Sequence, residues 1–347
     1  MQHGFLVNKS LAESARKLLI LSGALDFAKK PKREGTNVIF PLNAKPANST
    51  QIHSGLGKSV QRNFAKVVEK PNSLQDALKG KMPEKQKARV TKSFDIIGDI
   101  AVVEIPRGLS TYSKKIAKAA MQVHRNVKTV LAKSSAMEGT YRVRRFAHLA
   151  GEKRTQTTYC ENGVRLKVDL AKMYFSPRLS TERLRIARLS RPNEKILVMF
   201  AGCGPFALSI SKLNPSSSIL GVEINPDAVR YFNENIILNK ANNVKAICGD
   251  VARVLATKAY LKAFDRIVMP LPKDAEKFLE VALKCAKPGA SIHLYSFVHI
   301  KGGFSKPLDK ISLECKKEGY RFSILGKRVV RPFSPSTRQV VIDFVVL

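Results

Sequence analysis

The chain has 347 residues, 44% hydrophobic and 25% charged, a balance that fits a globular protein of two or three domains and excludes a disordered tail. No apolar run nears the roughly 18 residues that cross a bilayer, and the cysteines at 160, 203, 248, 285 and 315 have neither disulfide nor zinc-cluster spacing, so a reducing, cytoplasmic setting without membrane or metal is expected. Against 27 Asp and Glu stand 61 Lys and Arg, a formal net charge of +34, and such a field points to a polyanionic partner, DNA or RNA.

In chain order, residues 11–21 repeat apolar positions at three- and four-residue spacing before Gly23, which predicts a helix, and residues 37–42 predict a strand. Residues 1–46 are thus expected to form a small α+β domain. Residues 47–90 are lysine-rich and broken by Asn, Ser, Gly and Pro, the pattern of a linker with one helical piece. A second α+β domain is expected over 91–191, bearing an RNA-binding surface. Within it, 94–106 predicts two short strands around Gly98, and 113–130 a basic amphipathic helix. Strands with one basic face are predicted at 141–146 and 163–170, and 180–189 predicts a helix capped by Ser180 or Thr181. From Glu194 strands alternate with helices, which predicts a parallel-rich, doubly wound α/β sheet of the class I, Rossmann-like type over 192–347, ending in an antiparallel pair.

Three apolar runs in this last domain stop at residues suited to a nucleoside. The first ends at Phe200 and leads into Ala201-Gly202-Cys203-Gly204-Pro205, where glycines let backbone approach a ligand and present N–H donors. Ala207 stands where a dinucleotide fingerprint has its third glycine, and Pro205 removes a donor that a pyrophosphate would use. The second run ends at Glu223, 19 residues after Gly204, where a carboxylate can accept both ribose hydroxyls. The third ends at Asp250, which can take an adenine amino group. Together they predict an S-adenosyl-L-methionine site, not an NAD site, formed by Phe200, Ala201, Gly202, Gly204, Pro205, Glu223, Ile224, Asp250 and Val251. A fourth strand ends in Met269-Pro270-Leu271-Pro272-Lys273, a rigid, non-helical rim beside the methyl donor. Arg142, Arg144 and Arg145 are expected on one strand as phosphate contacts, and Glu182 taken alone is a helix-start charge.

The segments Gly139-Thr-Tyr-Arg-Val-Arg, Leu149-Ala-Gly-Glu, Cys160-Glu-Asn-Gly, Tyr174-Phe-Ser-Pro-Arg-Leu-Ser-Thr-Glu-Arg, Phe200-Ala-Gly-Cys-Gly-Pro-Phe and Glu223-Ile-Asn-Pro resemble the archaeal and eukaryotic tRNA (guanine-37 N1)-methyltransferase family. The resemblance covers nearly the whole chain. It implies methyl transfer from S-adenosyl-L-methionine to N1 of guanosine 37. It also implies a first domain docked on the outer corner of the tRNA, an anticodon loop in the site, and a monomer without an obligate protein partner. By motif position Glu182 resembles the general base, for which a somewhat raised pKa is expected, and Arg142 the cation at O6, with Arg144 the alternate. Pro270 and Pro272 would flank the target base, and Arg144, Arg145, Tyr174, Ser176, Arg178 and Lys273 would contact substrate.

Two positions depart from the family pattern. Pro270 replaces a usual Asn, which passes base recognition to the carbonyls of Met269 or Leu271 or to other groups, and Val198 replaces a common aspartate. The altered rim keeps open carbon methylation of the tricyclic wyosine precursor or aminocarboxypropyl transfer. The reading from another class is a non-catalytic tRNA-binding protein, against which Glu182, Arg142 and Glu223 stand together.

Overall fold

The computed structural model describes residues 1–43, 55–66, 71–91 and 93–347, and it divides into two compact units, Met1–Pro71 and Asn72–Leu347. In the first unit, β1 (Gln2–Asn8), β2 (Lys32–Glu34), β3 (Asn37–Pro41) and β4 (Gly57–Arg62) form an antiparallel sheet in the order β2-β3-β1-β4. Phe5 and Val7 bury one face of β1 in a core with Ala15 and Leu19 of the helix Ala12–Leu21 and Phe40 of β3. The stretch read as linker differs from expectation. β4 lies inside it, and Lys58 and Gln61 are exposed on that strand because an edge tolerates charge that an inner strand does not. Residues 44–54 and 67–70 of that stretch lie outside the described residues. Its end, the helices Leu74–Leu78 and Glu84–Ala88, belongs to the second unit, where Leu74 and Leu78 share a core with Leu109 and Ile116.

In the second unit, β5 (Asp95–Ile97), β6 (Ile100–Val103), β7 (Thr129–Lys133) and β8 (Phe146–Gly151) form one sheet in that order. The helix Ser113–Val123 is the crossover between the parallel pair β6 and β7. It stops at His124, short of the expected 130, because Thr129–Lys133 is almost wholly buried and pairs as a strand. Residues 141–145 do not form the expected strand. They make a turn around Arg142 (φ 52°) closed by the bridge between Glu138 and Val143, and the strand begins only at Phe146.

β9 (Gln156–Glu161) and β10 (Val164–Asp169) form a hairpin whose Val164, Leu166 and Val168 share a core with Ile196 and Val198 of β11 (Lys195–Met199). Ile186 of the helix Ser180–Leu189 enters the same core. The expected cap on that helix is absent: its N-cap is Leu179, reached through the turn Pro177–Leu179, and Ser180 Oγ instead accepts from Asn162 Nδ2 at 3.2 Å. Since these elements pack on the C-terminal sheet, the boundary expected at 191 lies inside a shared core.

That sheet runs β13-β12-β11-β14-β15-β17-β16, with β12 (Ser218–Glu223), β13 (Val244–Cys248), β14 (Phe264–Met269), β15 (Ala286–His299), β16 (Phe322–Ser334) and β17 (Thr337–Val346). β13 through β15 are parallel; β17 and β16 close it antiparallel. Ile196 to Met199 are buried on both faces, as a central parallel strand requires. Asn235, wholly buried on the helix Pro226–Leu238, accepts from Lys167 N at 2.7 Å and donates to Lys167 O at 3.0 Å and Cys203 O at 3.1 Å. One amide thereby ties β10 to the glycine loop.

Candidate active site

The parallel strands end together, and their ends build one half of the site. β11 and β12 are in register at Met199 and Val222, so Phe200 and Glu223 emerge side by side. Phe200 turns the chain with φ 57°, and Gly202 (φ 57°) and Gly204 (φ 87°) hold the left-handed conformations that the loop requires. A side chain on Gly204 would meet the Phe232 ring at 2.2 Å, and one on Gly221 would meet it at 2.3 Å. Glycine is thus what lets the helix Pro226–Leu238 seat against the loop, whereas the space beside Gly202 is open. Glu223 Oε2 accepts from Gly202 N at 2.8 Å and Oε1 from Asn225 N at 2.9 Å. Burial pushes its carboxyl above the usual range, opposed by these backbone donors. Each oxygen retains a lone pair for a diol. Asp250 Oδ1 accepts from Arg253 N at 3.1 Å as the cap of Val251–Leu255, half-buried at the same strand ends. Ribose hydroxyls and an adenine amine are both donors, and the carboxylates here are acceptors, so the residues fit an adenosine-bearing donor. Burial pushes the Cys203 thiol to about 12, which removes it as a nucleophile.

The other half is built around Glu182, which is only 3% exposed. Its Oε1 accepts from Tyr295 Oη at 2.7 Å and from Arg185 Nε and Nη2 at 2.9 and 2.7 Å. Its Oε2 faces Arg328 Nη1 at 3.7 Å, beyond hydrogen-bond range. Tyr295 also packs edge-on against Phe206, two residues past Gly204, at 5.8 Å between ring centres. The β14–β15 register pairs Met269 with Leu294, which sets Tyr295 level with Pro270. Glu182 therefore stands at the junction of glycine loop and rim. Burial, and then the neighbouring carboxylate, raise the Tyr295 hydroxyl well above its usual pKa, so it remains a donor.

A chain of buried polar groups fixes this arrangement. Arg185 donates to Asp343 at 2.6 and 3.2 Å, and His293 Nδ1 lies 2.6 Å from Asp343 Oδ1. Arg266 Nη1 approaches His293 Nε2 at 2.7 Å and also pairs with Glu194 at 2.8 Å. Because Arg266 can only donate, His293 Nε2 accepts and the ring is neutral with its proton on Nδ1; burial likewise lowers its pKa. Burial pushes Asp343 up, yet bonds from His293 and Arg185 outweigh it and hold the carboxyl at about 2.

A cavity of about 310 Å³ brings together Arg142, Arg144, Tyr174, Ser176 and Arg178, with Lys133 and Arg331 added. Arg178 is held by Asp95 at 2.7 Å, and Arg331 donates to Tyr174 Oη at 3.3 Å. Arg144 Nε is buried without a hydrogen-bond partner among the described residues, and a cation so placed favours an anionic ligand. Arg145 is not in this lining; it is exposed and paired with Glu138 at 3.3 Å. Lys273 is exposed beside Asp274, whose carboxyl is held low by Lys277 first and by Lys273 and Arg142 after it. Pro272 offers its carbonyl to Phe297 N at 2.9 Å, so it anchors the rim instead of facing a ligand through that atom. Sequence reasoning missed Tyr295, Arg185, Asp343, Arg328 and Arg331. The cluster of Lys327, Arg328 and Arg331 on β16 was the local signal for the last two.

Family models match three successive stretches: the tRNA methyltransferase 5 N-terminal domain at residues 4–50, the TYW2 N-terminal domain at 74–155 and the TRM5/TYW2 methyltransferase domain at 157–323. The chain is 41% identical to the tRNA (guanine(37)-N(1))-methyltransferase Trm5b of Pyrococcus abyssi, over 96% of this chain and 95% of that protein. It is 36% identical to the tRNA 4-demethylwyosine(37)-methyltransferase Taw21 of Saccharolobus solfataricus, over 73% of this chain and 94% of that one. The solved complex of aTrm5 with tRNALeu superposes with a TM-score of 0.77 at 30% identity, covering 99% of both chains. Among the described residues no helix is long and apolar enough to cross a membrane.

Proposed function

The chain belongs to the TRM5/TYW2 methyltransferase family, and we propose that it methylates N1 of guanosine 37 in tRNA with S-adenosyl-L-methionine as donor. The observation that carries this reading is the placement of Glu182. A buried carboxylate hangs from Tyr295 at the level of the rim, and its Oε2 makes no hydrogen bond within the protein among the described residues. The bound donor supplies an electrophilic methyl group. Glu223 would hold its ribose and Asp250 its adenine amine, while Gly202 leaves the backbone open beside them. Guanine N1 carries a proton that leaves as the methyl arrives, and Glu182 Oε2 accepts it. Tyr295 and Arg185 keep Oε1 occupied, so Oε2 is the oxygen presented to substrate.

The basic cavity with Arg142, Arg144, Arg178 and Arg331 would receive phosphates of the anticodon loop. The exposed cations Arg145 and Lys273 would add long-range attraction, and the first unit would engage the outer corner of the tRNA. We assign the protein to the cytoplasm and to action as a monomer.

The test is transfer of labelled methyl from S-adenosyl-L-methionine to a tRNA transcript with guanosine at 37, followed by mass spectrometry of the nucleosides. The expected product is 1-methylguanosine, with no transfer when adenosine stands at 37. A tricyclic or aminocarboxypropyl product from a suitable tRNA, with none from guanosine, would favour the wyosine enzymes.

A further inference from the structure

We propose that Phe333, on the edge strand β16, is the platform on which a base next to guanosine 37 stacks when the target guanine enters the site. The inference deepens the proposed guanine methylation and rests on it. Glu182, the carboxylate that would take the N1 proton, is only 3% exposed, so the guanine has to leave the stack of the anticodon loop to reach it. A base drawn out in this way leaves each of its neighbours with one bare face. An aromatic ring at the mouth of the site can cover such a face, and bases stack on aromatic rings whatever their identity. Phe333 is a ring so placed.

Phe297 follows Tyr295 by two residues on β15, which puts it on the same face and about 7 Å nearer the strand end. Its N–H donates to Pro272 O at 2.9 Å, at the level of the rim. Phe333 packs on Phe297 with ring centres 4.2 Å apart and planes at 38°, yet it remains 50% exposed. The aromatic pair thus stands outward of the tyrosine that holds Glu182, where a neighbour of the inserted base would lie. The charges around it complete the picture. Phe333 lines the basic cavity together with Arg144 and Arg331. Arg331, two residues before the ring, donates to Gln339 Oε1 at 2.7 Å and to Tyr174 Oη at 3.3 Å, so the cation is held in place. Arg144 Nε is buried without a hydrogen-bond partner among the described residues. An apolar ring set among cations suits a polyanion that carries flat bases, not an apolar peptide or a lipid tail. Leu325 and Val329 of the same strand are exposed as well, but neither carries a ring or lines the cavity.

The experiment is binding of the guanosine-37 transcript, paired with single-turnover methylation, for the parent protein and for Phe333→Ala, Phe333→Leu and Phe333→Trp. The first two variants should weaken tRNA binding by about 5- to 100-fold, with donor affinity within about twofold of the parent. Phe333→Trp, which keeps a ring face, should hold binding within about threefold. The salt dependence of binding should stay as it is in all three, whereas Arg331→Ala should make it shallower by about one ion. Transcripts with an abasic site at 36 or at 38 identify the stacked base. At the stacked position the abasic site and Phe333→Leu should together weaken binding no more than either does alone, and at the other position the two losses should add. Additive losses at both positions would overturn the proposal, as would Phe333→Leu binding within about twofold of the parent. If the parent protein binds the transcript but leaves guanosine 37 unmethylated, the proposed function fails instead, and the abasic comparison still decides the stack.

Discussion

The two halves of the site are assembled in different ways. The donor half lies within residues 200–251, where three neighbouring strands run out into a glycine loop, Glu223 and Asp250. Its contacts are short in sequence, as when Gly202 N meets Glu223. The acceptor half draws on residues from 142 to 343, and its central ion pair joins Arg185 to Asp343 across 158 positions. The proposed donor site is thus a local strand-end pattern. Glu182, the proposed proton acceptor, depends for its setting on Tyr295 of β15 and, through Arg185, on Asp343 of β17.

That division can be broken by substitution, and the largest effect belongs to the acceptor half. Glu182→Gln should lower the single-turnover rate by roughly 10²–10⁴-fold, measured by quench of labelled methyl transfer. A loss under threefold would remove Glu182 as the base. Next comes the seam between the halves. Asn235→Ala removes one buried hydrogen bond, to Cys203 O, and two part-buried ones to the Lys167 backbone, which should cost about 2–3 kcal/mol in urea unfolding. An unchanged midpoint would show that β10 and the glycine loop are held by other contacts.

The third prediction concerns acid. Asp343 has a folded pKa of about 2 against 3.8. A depressed carboxylate contributes stability that is fully present above the unfolded pKa and is lost as pH falls through the folded value. The contribution here is about 2 kcal/mol, lost between about pH 5 and pH 2. Unfolding titrations across that window should show the loss in the parent protein, and Asp343→Asn should lack that component. The smallest effect is expected at Arg145, exposed and paired with Glu138. Arg145→Ala should weaken tRNA less than about tenfold and make the salt dependence of binding shallower by about one ion. A larger loss would mean that the exposed turn, and not the cavity, grips the substrate.

The same division explains how far the site is legible in the sequence. Gly202, Gly204, Glu223 and Asp250 come after apolar runs at fixed spacing, and a strand that ends in a ligand residue announces itself locally. Glu182 and the cavity residues Arg142, Tyr174 and Arg178 were legible only through motif resemblance, because their meaning depends on which side chains face them. His293, Tyr295 and Asp343 interrupt otherwise apolar strands, and only the register of β15 against β17 turns those interruptions into a network. The strand expected at 141–146 failed for a related reason. Alternating arginines there mark a turn that feeds a basic cavity, and the apolar positions between them are not buried as a strand's face would be, Tyr141 being exposed. β4 was hidden by exposure, since an edge strand with lysine and glutamine outward reads as linker.

The residues proposed for donor binding and for proton removal thus sit on separate parts of one site. Titration of S-adenosyl-L-methionine into Glu182→Gln and Glu223→Gln, side by side with the parent protein, tests that separation most directly. Glu182→Gln should bind the donor within twofold of the parent, while Glu223→Gln, having lost a charged acceptor for ribose, should bind at least about tenfold more weakly. Equal weakening by both substitutions, or none by Glu223→Gln, would contradict it.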